Sequence, residues 1–188
     1  MIYLLFGKSG VGKTTIYKKL VEDEELGLTP IVTCTTRPPR EGEVNEVDYY
    51  FISEEEFHDL EMMSELMEST SYKVANGETW YYGSLFKDFM DHKDRIIIVN
   101  PQGIRTILDK CFKYGIKTKT ILIKANNKVR LSRLLQRGDN IEEVKRRMKA
   151  DNRDFFLIGE LVNNTINTSR ISVDEAVNKI KKIIQKER

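Results

Sequence analysis

An α/β fold built on a parallel sheet is what this chain predicts, and three observations predict it. Short apolar runs alternate with segments of helical spacing, and such alternation closes into a parallel sheet through right-handed crossovers. One of the runs, Ile96–Val99, is continuously β-branched, as a strand covered on both faces is. The first run, Ile2–Phe6, ends at Gly7 in a glycine-rich turn and is followed by Ile16, Leu20 and Val21 at helical spacing. That is a strand–loop–helix unit.

The elements follow in order. Ile31–Cys34 is a second strand candidate, and it leads into Thr35-Thr36-Arg37-Pro38-Pro39-Arg40. The paired prolines hold that segment extended. Asp48–Ile52 is rich in aromatic and β-branched residues and reads as a strand. The helix after it has a marked start: Ser53 and Glu56 form a capping box, and Ile52 with Phe57 a hydrophobic staple. Glu65–Tyr82 reads as irregular strands and turns with a hairpin turn at Asn76-Gly77, and Leu85–His92 as a further helix. Beyond Ile96–Val99 come a helix over Gly103–Phe112, a buried strand over Thr120–Ile123 and a helix over Val129–Leu135 that stops near Gly138. Ile141, Val144, Met148 and Phe155 mark one face of the next helix. The last helix starts at a second capping box, Ser172 with Glu175, and turns Ala176, Ile180, Ile183 and Ile184 inward.

Bulk properties narrow the function classes. The 188 residues suffice for one domain with a sizeable core. Hydrophobic residues at 40% and charged residues at 32% fit a globular chain. A net charge of +2 is too small to argue for nucleic-acid binding, so any positive field is local and suits a small anionic substrate. Cys34 and Cys111 have no metal or redox spacing and read as packing residues. No run reaches the length of a membrane span, and the leading apolar stretch is too short for a secretion signal. The expectation is a cytoplasmic protein without a nucleic-acid or membrane partner; monomer and homodimer both stay open.

Gly7-Lys8-Ser9-Gly10-Val11-Gly12-Lys13-Thr14 matches the phosphate-loop pattern G-x-x-x-x-G-K-[ST] in full. Glycines let successive N–H groups turn inward around a polyphosphate, and the following helix offers its N-terminus to the same anion. Lys13 is expected on the β- and γ-phosphates of ATP, and the Thr14 hydroxyl on Mg²⁺. Thr15 continues the site into the helix. Downstream, Arg37 and Arg40 stand three residues apart on the extended segment, a spacing that lets two guanidiniums clamp one phosphate. Tyr49 and Tyr82 add phenol donors. Glu68 is an isolated acid among apolar and hydroxylated residues, and its carboxylate suits the paired N1–H and 2-amino donors of guanine.

Together these blocks resemble the guanylate kinase family. Thr-Thr-Arg-Pro-Pro-Arg-Glu-Gly-Glu-Val-Asn, then Asp-Tyr-Tyr-Phe-Ile-Ser, Met67-Glu68 and Tyr81-Tyr82-Gly83-Ser84 carry the likeness, which runs over nearly the whole chain. The resemblance implies a phosphate-loop NTPase fold: a parallel core with helices on both faces, an inserted mixed α/β lobe for GMP and a small helical lid. Core residues would be 1–32, 87–125 and 148–188, the lobe 33–86 and the lid 126–147. It implies transfer of a phosphoryl group from ATP to GMP or dGMP. Arg37, Arg40, Tyr49 and Tyr82 would hold the GMP phosphate; Thr33, Glu68, Ser84 and Asn100 would face the guanine, and Gly83 would belong to the same GMP site. Arg133, Arg137 and Arg147 match the lid arginines, Arg146 reads as surface, and Asn167 matches an asparagine near the adenine.

Departures from the pattern are also visible. Ile98 and Asn100 stand where the family places aspartates, Lys8 replaces a small residue or proline in the loop, and Thr168 stands where an acid usually follows Asn167. Ser71–Thr79 is longer than typical. Two alternatives remain at this stage: a sister phosphate-loop kinase acting on another nucleotide or sugar phosphate, and a non-catalytic guanylate-kinase-like binding module.

Overall fold

The computed structural model describes residues 1–74, 77–156 and 158–187. Its core is a five-stranded parallel sheet in the order β2-β7-β1-β8-β9. These strands are β1 (Ile2–Phe6), β2 (Thr29–Pro30), β7 (Arg95–Ile98), β8 (Thr118–Lys124) and β9 (Asn164–Asn167). Alternation along β1 divides the packing. Tyr3 and Leu5 face α1 (Lys13–Val21) and α6 (Val173–Glu187). Ile2, Leu4 and Phe6 face α3 (Gly103–Lys113), meeting Ile104, Ile107 and Cys111. Helices therefore cover both faces, and the unbroken apolar runs of β1 and β7 follow from that.

A second sheet, in the order β4-β3-β6-β5, combines β3 (Thr33–Thr35), β4 (Tyr50–Phe51), β5 (Leu66–Lys73) and β6 (Thr79–Leu85). The β3–β4 pair is parallel and the other two pairs are antiparallel. One face packs on α2 (Glu54–Met62), where Phe57 is buried against Cys34 and Leu66. The capping box at Ser53 and Glu56 is formed, a cap whose loss costs about 1 kcal/mol. The opposite face lines a cleft. A bulge between Leu66 and Glu68 breaks the register of β5 against β6. Without it Met67 would lie opposite Ser84; with it Met67 turns into the core beneath α3 and Glu68 takes the place beside Ser84.

Four expectations change. Ile31–Cys34 is not one strand: β2 ends at Pro30 in the core sheet and β3 begins at Thr33 in the second, with Ile31 buried under the core between them. The strand over Asp48–Ile52 shrinks to Tyr50–Phe51. Glu65–Tyr82 contains most of an antiparallel strand pair, in register from Glu68 to Lys73 with partners such as Tyr72 and Trp80; the expected Asn76-Gly77 turn falls on Asn76, outside the described residues. Leu85–His92 makes only a 3-10 turn over Phe86–Phe89, because its packing is set by two aromatics docking rather than by an amphipathic face. The edge strand β9 has no sequence signal: Asn164-Thr165-Ile166-Asn167 has one buried apolar residue and no run. No helix among the described residues is long and apolar enough to cross a membrane.

Candidate active site

The turn after β1 does what its glycines permit. Gly10 and Gly12 have φ of +77° and +98°, the left-handed region that L side chains avoid. A Cβ on Gly7 would come within 2.3 Å of the Ile123 carbonyl oxygen, so the loop lies directly on β8. Around it opens a cavity of about 380 Å³ lined by Ser9 through Ile16 and by Arg133, Arg137 and Arg147. Thr168, Ile171, Ser172 and Val173 close its far side. Lys13 Nζ donates to the Gly7 carbonyl at 2.6 Å and to the Lys8 carbonyl at 3.2 Å. Burial lowers its pKa to about 8, with Asp151 opposing the shift. The ammonium is thus held against carbonyl dipoles at the loop's centre.

A second cavity, of about 360 Å³, lies between the second sheet and α5 (Ile141–Asp154). Thr33, Arg40, Tyr49, Glu68, Tyr82 and Asn100 line it. Ser9, Lys13 and Arg147 line both cavities, so the two spaces meet over the phosphate loop. Glu68 is the buried acid of its lining. It is 7% exposed; its Oε1 accepts the Ser84 hydroxyl at 3.1 Å, and its Oε2 is buried with no hydrogen-bond partner. Burial pushes its pKa up to about 7, although Ser84 and Lys110 pull the other way. A buried carboxylate oxygen without a donor costs free energy unless a ligand supplies one. Gly103 makes room for it: a Cβ there would lie 2.7 Å from Oε2.

Asn100 joins the two parts of this floor. Its Oδ1 accepts the Gly103 N–H at 2.7 Å, and its Nδ2 donates to the Thr70 hydroxyl at 2.9 Å. Arg37 is buried, 3% exposed, with its guanidinium 2.9 Å from Glu43 and 5.3 Å from the centre of the Tyr49 ring. Tyr49 in turn packs edge-on to Tyr82. Arg40 is exposed and reaches the cavity from the same segment. Gly83 lies too close to β5 for any side chain, 2.9 Å from the Glu68 carbonyl oxygen to a notional Cβ.

The residues singled out from sequence divide accordingly. The three arginines expected on a lid are anchored: Arg133 donates to Val11 and Thr168 carbonyls, Arg137 pairs with Asp139, and Arg147 pairs with Glu143 at 2.6 Å. Arg146 is on the surface side of α5 in an ion pair with Glu143, yet it also reaches the second cavity. Lys8 turns away from the first cavity, donating to Asn152 Oδ1 at 2.7 Å. Asn167 is not among the lining residues; its Oδ1 accepts the Ser169 N–H, while its neighbour Thr168 does line the cavity. Arg37, Gly83 and Ser84 support the second cavity from behind its lining. Tyr72, Trp80 and Asp151, which sequence reading passed over, line it. The alternation of β5 and β6 carried a signal for the first two; Asp151 stands in a charged helix and carried none.

A family model for guanylate kinase matches residues 1–187. The chain belongs to the guanylate kinase family. It is similar to guanylate kinase of Mycoplasmoides gallisepticum, 33% identical over 99% of this chain and 92% of that protein. It is also similar to guanylate kinase of Mycoplasmopsis pulmonis, 33% identical over 98% of this chain and 94% of that one. Among solved structures, guanylate kinase from Anaplasma phagocytophilum shares the fold with a TM-score of 0.73 at 22% identity, over 100% of this chain and 85% of that chain. Family membership makes the chain a nucleotide-binding phosphotransferase and fixes the fold as that of the phosphate-loop kinases.

Proposed function

We propose that the chain transfers the terminal phosphoryl group of ATP to GMP or dGMP, with ATP in the cavity over Gly7–Thr14 and the acceptor in the cavity over Glu68. The observation that carries the reading is the shared floor: Ser9, Lys13 and Arg147 border both spaces, so a γ-phosphate in one faces a monophosphate in the other. Glu68 Oε2, without a partner, receives the N1–H or 2-amino donor of guanine; adenine lacks that pair. Arg40, Tyr49 and Tyr82, backed by Arg37, hold the acceptor phosphate. An oxygen of that phosphate is already anionic, so attack needs no general base; catalysis consists of alignment and charge stabilisation. Lys13 and the arginines of segment 126–147 and of α5 supply the positive charge, and segment 126–147 acts as the lid over it.

The donor chemistry of the first cavity fits Mg²⁺. Thr14 offers one hydroxyl, and among the described residues no three His, Cys, Asp or Glu side chains gather; Mg²⁺ beside a nucleotide takes most of its ligands from phosphate and water. Bound there, it would neutralise charge on the β- and γ-phosphates. We assign the protein to the cytoplasm on the same footing.

A coupled ADP-release assay with each nucleoside monophosphate in turn tests the reading. Turnover confined to GMP and dGMP is expected. Equal turnover with AMP would exclude the role given to Glu68.

A further inference from the structure

Helix α5 reaches past the acceptor cavity and grips the phosphate loop. Asp151 Oδ2 accepts the Ser9 backbone N–H at 3.0 Å, and Oδ1 accepts the Ser9 hydroxyl at 3.4 Å. The same carboxylate forms an ion pair with Arg130, which belongs to α4 (Asn127–Gln136) and is 1% exposed. Arg130 Nε donates to the Ser9 carbonyl at 2.8 Å, and its Nη1 to Asn127 Oδ1 at 3.0 Å. Ser9 is therefore held at both of its peptide groups by the two halves of one ion pair. Gly10 extends the contact: a Cβ there would lie 2.8 Å from the Arg130 carbonyl oxygen, so α4 packs on the bare loop backbone. The Lys8–Asn152 bond ties the loop to α5 once more.

A buried ion pair is a weak source of stability, because desolvation offsets most of the attraction, and its best use is to fix a geometry. Here the geometry it fixes is that of the two peptide units on either side of Ser9 in the phosphate loop. The geometry points to Arg130 and Asp151 as positioning residues for ATP: by clamping Ser9 they preset the N–H groups from Gly10 to Thr14 toward the donor cavity and join the loop's curvature to α4 and α5. A loop held ready loses less freedom when the triphosphate arrives. Both residues act through Ser9. The inference rests on the reading of Gly7–Thr14 as the ATP site.

Steady-state kinetics and thermal melting of four variants test it: Asp151→Asn, Arg130→Met, the double variant Arg130→Leu/Asp151→Leu, and Lys13→Ala. Each single change of the pair is expected to raise the KM for ATP about tenfold, the size of one lost charge-assisted hydrogen bond. The apolar double variant is expected to recover the wild-type Tm, since a buried pair exchanges well for packed leucines, while its KM for ATP stays raised. Recovery of both would make the pair merely structural and overturn the proposal. So would a change confined to the KM for GMP, which would make Asp151 an acceptor-site group. Asp151→Asn keeps the size and one acceptor oxygen, and it carries the test if the double variant does not fold. Full turnover by Lys13→Ala would instead sink the ATP-site reading itself, whatever the pair does.

Discussion

The cavity we assign to the donor rests on loop backbone, and the one we assign to the acceptor rests on side chains. In the first, Gly10 and Gly12 take positive φ and the loop lies flat on β8, so the binding groups are N–H groups that every residue carries. In the second, two sheet strands, a bulge and an extended Pro-Pro segment bring Arg40, Tyr49, Glu68 and Tyr82 to one wall. The difference has a chemical reason. A polyphosphate presents uniform charge, and a ring of amide dipoles answers it. A nucleoside monophosphate must be told apart from others by the edge of its base, which takes a carboxylate in one place.

Lys13 offers the strongest way to break this division, because its ammonium is held at the centre of the loop itself. Lys13→Ala is expected to lower kcat about a thousandfold, the scale of removing a principal charge from a phosphoryl-transfer site. Single-turnover phosphorylation of GMP measures it. A loss below tenfold would mean that the backbone alone suffices.

Glu68→Gln comes next. The amide presents a donor where guanine also presents donors, and kcat/KM for GMP is expected to fall about a hundredfold with kcat for bound substrate less affected. The same residue gives a pH signature. Its carboxyl has a pKa of about 7 in the empty protein because burial disfavours the charge. The ionised form presents two acceptor oxygens and a charge-assisted bond to guanine, whereas the neutral acid turns one oxygen into a donor, so kcat/KM for GMP rises with pH through about 7. For folding the sign reverses: the raised pKa means that the empty fold loses stability as pH climbs from the ordinary glutamate value of 4.5 to about 7. Melts at about pH 5.5 and 7.5 are expected to show a drop in Tm that Glu68→Gln removes. Equal drops in both proteins would place the titrating group elsewhere.

Arg40→Ala tests the phosphate end and is expected to lower kcat/KM for GMP about tenfold, leaving the KM for ATP unchanged. Its effect is smaller because Arg40 is exposed and shares the task with a buried neighbour, Arg37.

The same division decides what could be read from sequence. A backbone-made site needs glycines at fixed spacing, and Gly7–Thr14 was legible on its own. The side-chain site became legible only through the joint order of Arg37, Arg40, Glu68 and Tyr82, because each alone is ordinary. What stayed hidden depends on tertiary packing. The bulge that swaps Met67 for Glu68 leaves no turn residue in Leu66-Met67-Glu68. The split of Ile31–Cys34 between two sheets is invisible in an apolar run. Asp151 and Arg130 sit 21 residues apart in two charged helices, where nothing local separates a buried charge from a solvated one. The three central core strands, β1, β7 and β8, by contrast, show as apolar runs because they are covered on both faces, while the short edge strands β2 and β9 do not.

The smallest expected effect concerns Asn100, where the family places an aspartate. Its amide serves two partners of opposite kind, accepting from Gly103 N–H and donating to the Thr70 hydroxyl. Asn100→Asp keeps the first bond, and the second survives if the Thr70 hydroxyl turns to donate. What changes is charge. Glu68 Oε2 and Asn100 Oδ1 both approach Gly103, at 2.7 and 3.3 Å from the same notional Cβ, so the variant sets two carboxylates side by side. Like charges at that range disfavour joint ionisation. The Glu68 carboxyl, already held up by burial, is expected to titrate higher still, and kcat/KM for GMP at neutral pH to fall about twofold to fourfold, with the water of the open cavity screening the pair at an effective dielectric near 80. Raising the pH should recover most of the loss. A pH–rate profile superimposable on that of the wild type would show that the two side chains do not sense each other, and the asparagine would then be a bridge between Gly103 and Thr70 with no electrostatic part in choosing the base.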